Sequence, residues 1–580
     1  MKTNAILQKC KRRGSVLVLS LIFLTVTMLI LASALGWTMT SSRLTGRNVE
    51  YYRTEAAAEA ATEKVIAALN LDYEQLGEAE VLRRLDTYRA LVPTTNEDSA
   101  WRSYAFMDIQ GNRAHTTVDY IPPSQYRVLG SQYEGLSGYA SSFRVISNVR
   151  QTDGPFNITG GLLQDIDVAT IPLFQFAIFY NIELEINPSP PMSVTGPVHG
   201  NTNIYIAPAN VLTFQSAVSS AAQIIMTRDP NDPSGVGSGG GVVNFAVKPK
   251  EHMSSLTMPI GTNSNPSAVR QIIEIPPTSE SPTSSLGRER FYNKADMVVL
   301  VSDSGIVARS GQFNNFATLV PSNEVAKFIT LTNFYNKREG KTIKATQLDI
   351  AKLRVFNTNL VTTANNLRPV IPTHDITIVY VADQRTQSSS TESGVRLVNG
   401  QTLLPLGLTV ATPNPLYVLG HYNVATNALG TTNTINTFPA ALIADAITVL
   451  SVDWRDANST LALGSRVAAN TTVNAAFLAG VVPTSRSSYS GGVENFPRFL
   501  EDWSGQILTY NGSMVVMYDS KVATGLWQGT GATIGIYNPP VRRWAFDQNF
   551  NDVKKQPPGT PSVRALIRGR WAMIKPGTSG

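Results

Sequence analysis

MSVTGPVHGNTNIYI (192–206) breaks its apolar residues into short runs separated by Gly, Pro and Asn. Strands that brief, punctuated by residues that favour turns, are what one coil of a parallel β-solenoid or β-helix requires. GLTVATPNPLYVLGHYNV (407–424) is built the same way, although no strict period is read across the rest of the chain. Working outward, SSFRVISNVR (141–150), QDIDVATI (164–171), FQFAIFYNIELEI (174–186) and NTNIYIAP (201–208) alternate apolar and polar residues or form β-branched runs. These read as strands, with further pieces in DMVVLVSDSGIVAR (296–309) and ALIADAITVLS (441–451). Asn399-Gly400 and Asn511-Gly512 predict hairpin turns. KATQLDIAKLRVF (344–356) predicts a helical insertion with Ile350, Leu353 and Phe356 near one face. GGVENFPRFLEDW (491–503) reads as a helix start held by Phe496, Phe499, Leu500 and Trp503, which are expected in the core.

The N-terminus has another character. KCKRRGSVLVLSLIFLTVTMLILASALGW (9–37) opens with Lys9, Lys11, Arg12 and Arg13, and from Gly14 to Ser42 no charge occurs. A helix needs about 20 apolar residues to cross the hydrocarbon core, so this run is long enough for a span. The basic residues before it orient the N-terminus to the cytoplasm and the rest to the exported side. A secretory signal peptide competes with this reading, because Ala32-Ser33-Ala34 is a cleavage-like site; its apolar stretch is at the long end for one. Past the run, Tyr51, Ala58, Ala61, Val65 and Leu69 recur at helical spacing beside a stripe of Glu55, Glu59 and Glu63. One long helix is expected, apolar at first and amphipathic afterwards.

A basic leader ending in Gly, an apolar helix from the next residue and an amphipathic continuation resemble the N-terminus of type IV pilins and pseudopilins. RRGSVLVLSLIFLTVTMLILASAL followed by TEAAAEAATEKVIAAL is most similar to PilX-type minor pilins, and the resemblance covers about the first 70 residues. It implies cleavage by prepilin peptidase after Gly14 and methylation of Ser15. It also implies that Val16, Leu17, Leu19, Leu21, Phe23, Leu24 and Leu29 serve as membrane anchor and then as filament core. The major pilins carry Glu at the fifth mature position, where this chain has Leu19. That absence argues against repeated internal placement and for a tip or initiating subunit. The C-terminal aromatic and Pro-rich block likewise resembles a segment of large exported proteins with pilin-like N-termini.

Composition narrows the chemistry. Of the 580 residues only 16% are charged, and the formal charge is +6; removing the basic leader, Lys2 included, leaves +1. No nucleic-acid contact is therefore expected of the body. The one cysteine, Cys10, lies in the leader, which excludes disulfides and thiolate sites from a chain cut after Gly14. His115, His199, His252, His374 and His421 show no metal-binding spacing, so neither a metal nor a cofactor is expected. Gly340-Lys341-Thr342 lacks the first Gly of a phosphate loop, since Tyr335 stands there. Asp165 with Asp167, and Glu183 with Glu185, each share one face of an expected strand. They leave open a secreted or membrane-anchored β-helix protein that acts on or binds polysaccharide. Asp229, Asn231 and Asp232 offer oxygen ligands for calcium without the frame of an EF-hand.

The expected fold class is mixed, mainly β: a long N-terminal helix, then a β-rich body in part β-solenoid, with a few helices. The expected divisions are a leader (1–14), the anchor helix (15–70), a β-rich domain (71–274), a linker (275–290), a second β-rich part (291–485) and the aromatic C-terminal segment (486–580). The expected function is a non-enzymatic minor pilin or pseudopilin, with the inner membrane, prepilin peptidase and other pilins or pseudopilins as partners.

Overall fold

Helix α1, Gly14–Leu76, runs unbroken for 63 residues in the computed structural model, which describes residues 14–311, 318–362 and 375–577. At 1.5 Å per residue it is about 95 Å long. Thr54, Ala57, Ala58, Ala61, Thr62, Val65, Ile66, Leu69 and Tyr73 are buried along one stripe, at the three- and four-residue spacing that a docked helix face requires. Ala58, Ala61, Val65 and Leu69 thus lie inward as read, whereas Tyr51 is exposed, because the docked stripe begins one turn later. Gly77, at φ 87°, stops the helix; a Cβ there would meet the Arg564 guanidinium at 2.7 Å. That guanidinium donates to the carbonyls of Tyr73 and Glu74, at 2.8 Å each, and so satisfies acceptors the last turn leaves open.

The stripe lies on an antiparallel sheet of Tyr104–Met107, Thr117–Val128, Ser137–Gln151, Thr159–Pro172 and Ser562–Met573. Val118, Phe143, Val145, Ile166 and Val168 point from it into the core that Val65, Ile66, Leu69 and Tyr73 complete. The Ala positions of the helix let its backbone approach the sheet closely. The edge strand Ser562–Met573 pairs with Thr159–Pro172, with Ala565 opposite Ala169, so the two ends of the body meet in one sheet.

After this sheet the chain makes very short strands: Ile178–Tyr180, Leu184–Ile186 and Met192–Val194, then Val198–Gly200, Ile204–Ile206 and Leu212–Phe214, then Val218–Ser220, Ile224–Ile225 and Val243–Phe245. Each pairs in parallel with the strand one round later. Ile178 lies opposite Val198 and Val198 opposite Val218; Leu184 lies opposite Ile204 and Ile204 opposite Ile224. The offset is 20 residues on both faces, a strict local period absent from the sequence reading. On the third face Leu212 pairs with Met192 and then with Val243, because residues 226–242 loop out of the third round. Equivalent positions stack: the Asn201 amide donates to Asn181 Oδ1 at 2.8 Å, and the Phe214 and Phe245 rings lie parallel, 5.1 Å apart.

The remaining chain builds two stacks. Met297–Ser302, Ile378–Asp383, Leu408–Ala411, Ala440–Ala444, Thr471–Val481 and Ile507–Asp519 form one, in parallel; Lys341–Asp349, Thr391–Val398, Leu416–Leu419 and Ile447–Leu450 form the other. Ile507–Asp519 then pairs in parallel with Ile178–Tyr180, Met514 opposite Ile178, and joins both regions in a 12-stranded sheet. That sheet draws strands from 71–274, 291–485 and 486–580 alike.

Three local expectations are corrected. Asn399 does adopt φ 55°, but the turn hands the chain from one stack to the other and makes no hairpin. Asn511-Gly512 lies inside Ile507–Asp519, where a Cβ on Gly512 would meet the Ala475 carbonyl oxygen at 2.0 Å; the glycine serves close packing, not a turn. GGVENFPRFLEDW makes only a 3₁₀ turn at Val493–Asn495, although Phe496, Phe499, Leu500 and Trp503 are buried as expected. The helical insertion starts at Ile350, six residues later than read, and its face of Ile350, Leu353 and Phe356 is buried. In coarse outline the fold is mixed and mainly β, with one long N-terminal helix and several sheets.

Candidate functional site

The first half of α1 is bare. Val16, Leu17, Leu19, Leu21, Phe23, Leu24 and Leu29 are all more than half exposed, and Trp37 is 75% exposed. This helix is long and apolar enough to cross a membrane, and none of its most apolar stretch is buried. Several of its polar side chains are turned back on the helix. Ser20 donates to the Leu17 carbonyl at 2.9 Å, Thr25 to Ile22 at 2.8 Å, Thr27 to Phe23 at 2.6 Å and Thr38 to Ala34 at 2.8 Å. Such bonds leave few unmet polar groups, which is what an apolar solvent demands. Gly14 and Ser15 open the helix, while Lys9, Lys11, Arg12 and Arg13 lie outside the described residues.

The two carboxylate pairs have separate fates. Asp165 and Asp167 point away from α1, on the far face of the sheet from Ile166 and Val168. Arg144 donates to Asp165 at 2.7 Å, and Arg127 lies 2.7 Å from Asp167, which also accepts from Ser142 at 2.6 Å. Cross-strand ion pairs therefore occupy both aspartates. Glu183 and Glu185 instead line a cavity of about 350 Å³.

That cavity sits where the two regions of the 12-stranded sheet meet. Tyr180, Asn181 and Thr202 reach it from the 20-residue rounds, Asp519 from the end of Ile507–Asp519, and Thr484, Ser490 and Phe496 from the connection between Thr471–Val481 and Ile507–Asp519. Glu183 is exposed at its mouth, while Glu185 is only 4% exposed. Glu185 Oε1 accepts from the Thr484 hydroxyl and, at 2.9 Å, from Ser490; Oε2 has no partner among the described residues. Burial, assisted by the charges of Asp229 and Asp232, raises the Glu185 carboxyl to about 7. Arg338 and Arg498 also line the cavity, and burial beside Arg498 brings the Arg338 guanidinium down to about 9. Arg498 is held by Glu339 at 2.8 Å.

Sequence reasoning singled out Glu183 and Glu185 but not their partners. Arg338, Thr484, Ser490 and Arg498 lie more than 150 residues away and carry no local motif. The oxygen-rich loop at 229–232 is built as turns: Asp229 accepts from the Asn231 amide at 2.6 Å, and Asp232 from the Ser234 amide at 2.8 Å and Arg228 at 2.9 Å. Among the described residues no three His, Cys, Asp or Glu side chains are grouped to hold a metal. His199 is wholly buried, stacked on Phe179, and burial lowers it to about 4, so it is neutral near pH 7. No protein-family model, curated protein or solved structure matches the chain.

Proposed function

We propose that the chain is a non-enzymatic minor pilin or pseudopilin-like subunit of a type IV filament or type II secretion-like system. One observation carries this reading: α1 is divided into a bare apolar half, where Ser20, Thr25, Thr27 and Thr38 donate back to the helix, and a half docked on the body. A helix apolar all round must be buried in lipid or among like helices, and a filament core supplies the second after the membrane supplies the first. Prepilin peptidase cuts between Gly14 and Ser15, the inner membrane holds the precursor, and other pilins or pseudopilins pack along Val16 to Leu29. Leu19, exposed and uncharged, leaves a neighbour's terminal amine without an acid to pair with. A head containing a 12-stranded sheet is also hard to stack in every layer, so the subunit sits at the tip or initiates assembly. The stacked short strands are read as β-solenoid coils of that outward-facing head.

The test is mass spectrometry of the N-terminus of membrane-extracted protein. A start at methylated Ser15 is expected, and a start at Leu35 overturns the proposal in favour of a secreted protein. Gly14→Trp should retain the leader and abolish incorporation into filaments.

A further inference from the structure

We infer that the cavity beside Glu185 is a binding site for a neutral saccharide of one or two rings, such as the end of a glycan chain. At about 350 Å³ it lies at the lower end of the volumes that hold small ligands, roughly 300 to 1,000 Å³. Two of the residues that line it each carry a polar atom that the protein leaves unmet and shuts off from solvent. Glu185 Oε2 and Thr202 Oγ1 are both buried without a hydrogen-bond partner among the described residues, although an unmet buried polar group costs about 1 to 3 kcal/mol. Glu185 is not idle by accident of packing, since its other oxygen is held by Thr484 and Ser490, which fixes the carboxyl plane.

Charge then selects among ligands. Arg338 and Arg498 line the same space as Glu183, Glu185 and Asp519, with Arg498 also held by Glu339 and the Ala523 carbonyl. A metal cation meets two arginines, and the carboxylates of Glu183, Glu185 and Asp519 are not grouped to hold one among the described residues; an anion such as phosphate meets those carboxylates. A ligand with many hydroxyls both donates to carboxylate oxygens and accepts from guanidinium N–H groups, so it suits both charges. Phe496 adds an apolar wall against which the C–H face of a sugar ring can rest. The cavity is assembled at the junction of two strand stacks, which makes it rigid.

The experiment uses full-length protein in detergent micelles. Saturation-transfer NMR and calorimetry are run against glucose, galactose, N-acetylglucosamine, maltose and cellobiose, with inorganic phosphate and calcium as charged controls. At least one sugar should bind and both controls should not. Glu185→Gln turns an acceptor into a donor, and Thr202→Val removes the second unmet group while keeping the shape. Each should weaken the sugar about tenfold, which corresponds to 1.4 kcal/mol. Thr202→Val should leave the melting temperature unchanged or raised, so that its lost sugar affinity is not a loss of folding. Asp165→Asn, on the outer sheet face, should bind as the parent does. Binding of none of the sugars, binding of phosphate or calcium instead, or full sugar affinity in both cavity variants overturns the inference.

Discussion

The two halves of α1 share one backbone and meet opposite surroundings. From Val16 to Met39 every large side chain is exposed, with Phe23 and Trp37 the most open; from Thr54 to Tyr73 a continuous stripe is buried on the antiparallel sheet. The difference lies in residue size and partners. The bare half presents Leu, Ile, Val and Phe on every side, which no single sheet can cover. The docked half presents Ala and Thr where the sheet comes closest, and Thr62 even donates to Ser147 at 2.9 Å across the interface. The two ends of this one helix should therefore respond differently to the same substitution.

The largest break is a buried charge in the docked half. Val65→Asp places an unpaired carboxylate where Val65 is fully buried, and should destabilise the body by about 4 kcal/mol or more, read as the midpoint of denaturant unfolding. The matching change in the bare half, Leu24→Asp, should leave that midpoint unmoved. Its cost appears in membrane insertion instead, at about 3 kcal/mol, read as the fraction of protein recovered with membranes. A shift of the unfolding midpoint by Leu24→Asp would mean that the halves are not independent.

Smaller changes sharpen the boundary. Ala61→Leu overfills the contact between helix and sheet and should cost about 1 to 3 kcal/mol of stability by thermal denaturation. The smallest effect belongs to Glu63, whose carboxylate is held by Arg568 at 2.7 Å with nearly half of each side chain exposed. The hydrogen bond from Arg568 lowers the Glu63 carboxyl below its ordinary value. A lowered folded value means that this pair stabilises above the unfolded value of 4.5 and that the contribution is lost as pH falls through the folded one. Because the pair is exposed, Glu63→Gln should cost less than about 1 kcal/mol at neutral pH, less again in high salt, and nothing in strong acid.

Legibility in the sequence followed how local each feature is. Ala58, Ala61, Val65 and Leu69 announced the docked face because helical neighbours lie three and four residues apart. The 20-residue round was harder to see. Only Ile178 to Ile225 obeys it, and residues 226–242 interrupt the third face. Asn511-Gly512 misled because a glycine needed for close packing carries the same letters as one needed for a turn. GGVENFPRFLEDW misled because its aromatics are buried without helical hydrogen bonding, Phe499 packing on Tyr537 from outside the segment. At the cavity, Glu183 and Glu185 were recognisable as a pair, yet nothing near them separated the exposed one from the buried one.

The N-terminal helix, the point where its character changes and the short strands were set by residues within a few positions of one another, and the near-neutral charge of the body by composition alone. Long-range packing alone places Ile507–Asp519 beside Ile178–Tyr180, closes the end of α1 with Arg564, and has Thr484 and Ser490 hold one oxygen of Glu185 and leave the other unmet among the described residues. Parallel strands take their partners from far along the chain, and the energy that selects those partners comes from burying apolar faces together, which no local pattern records.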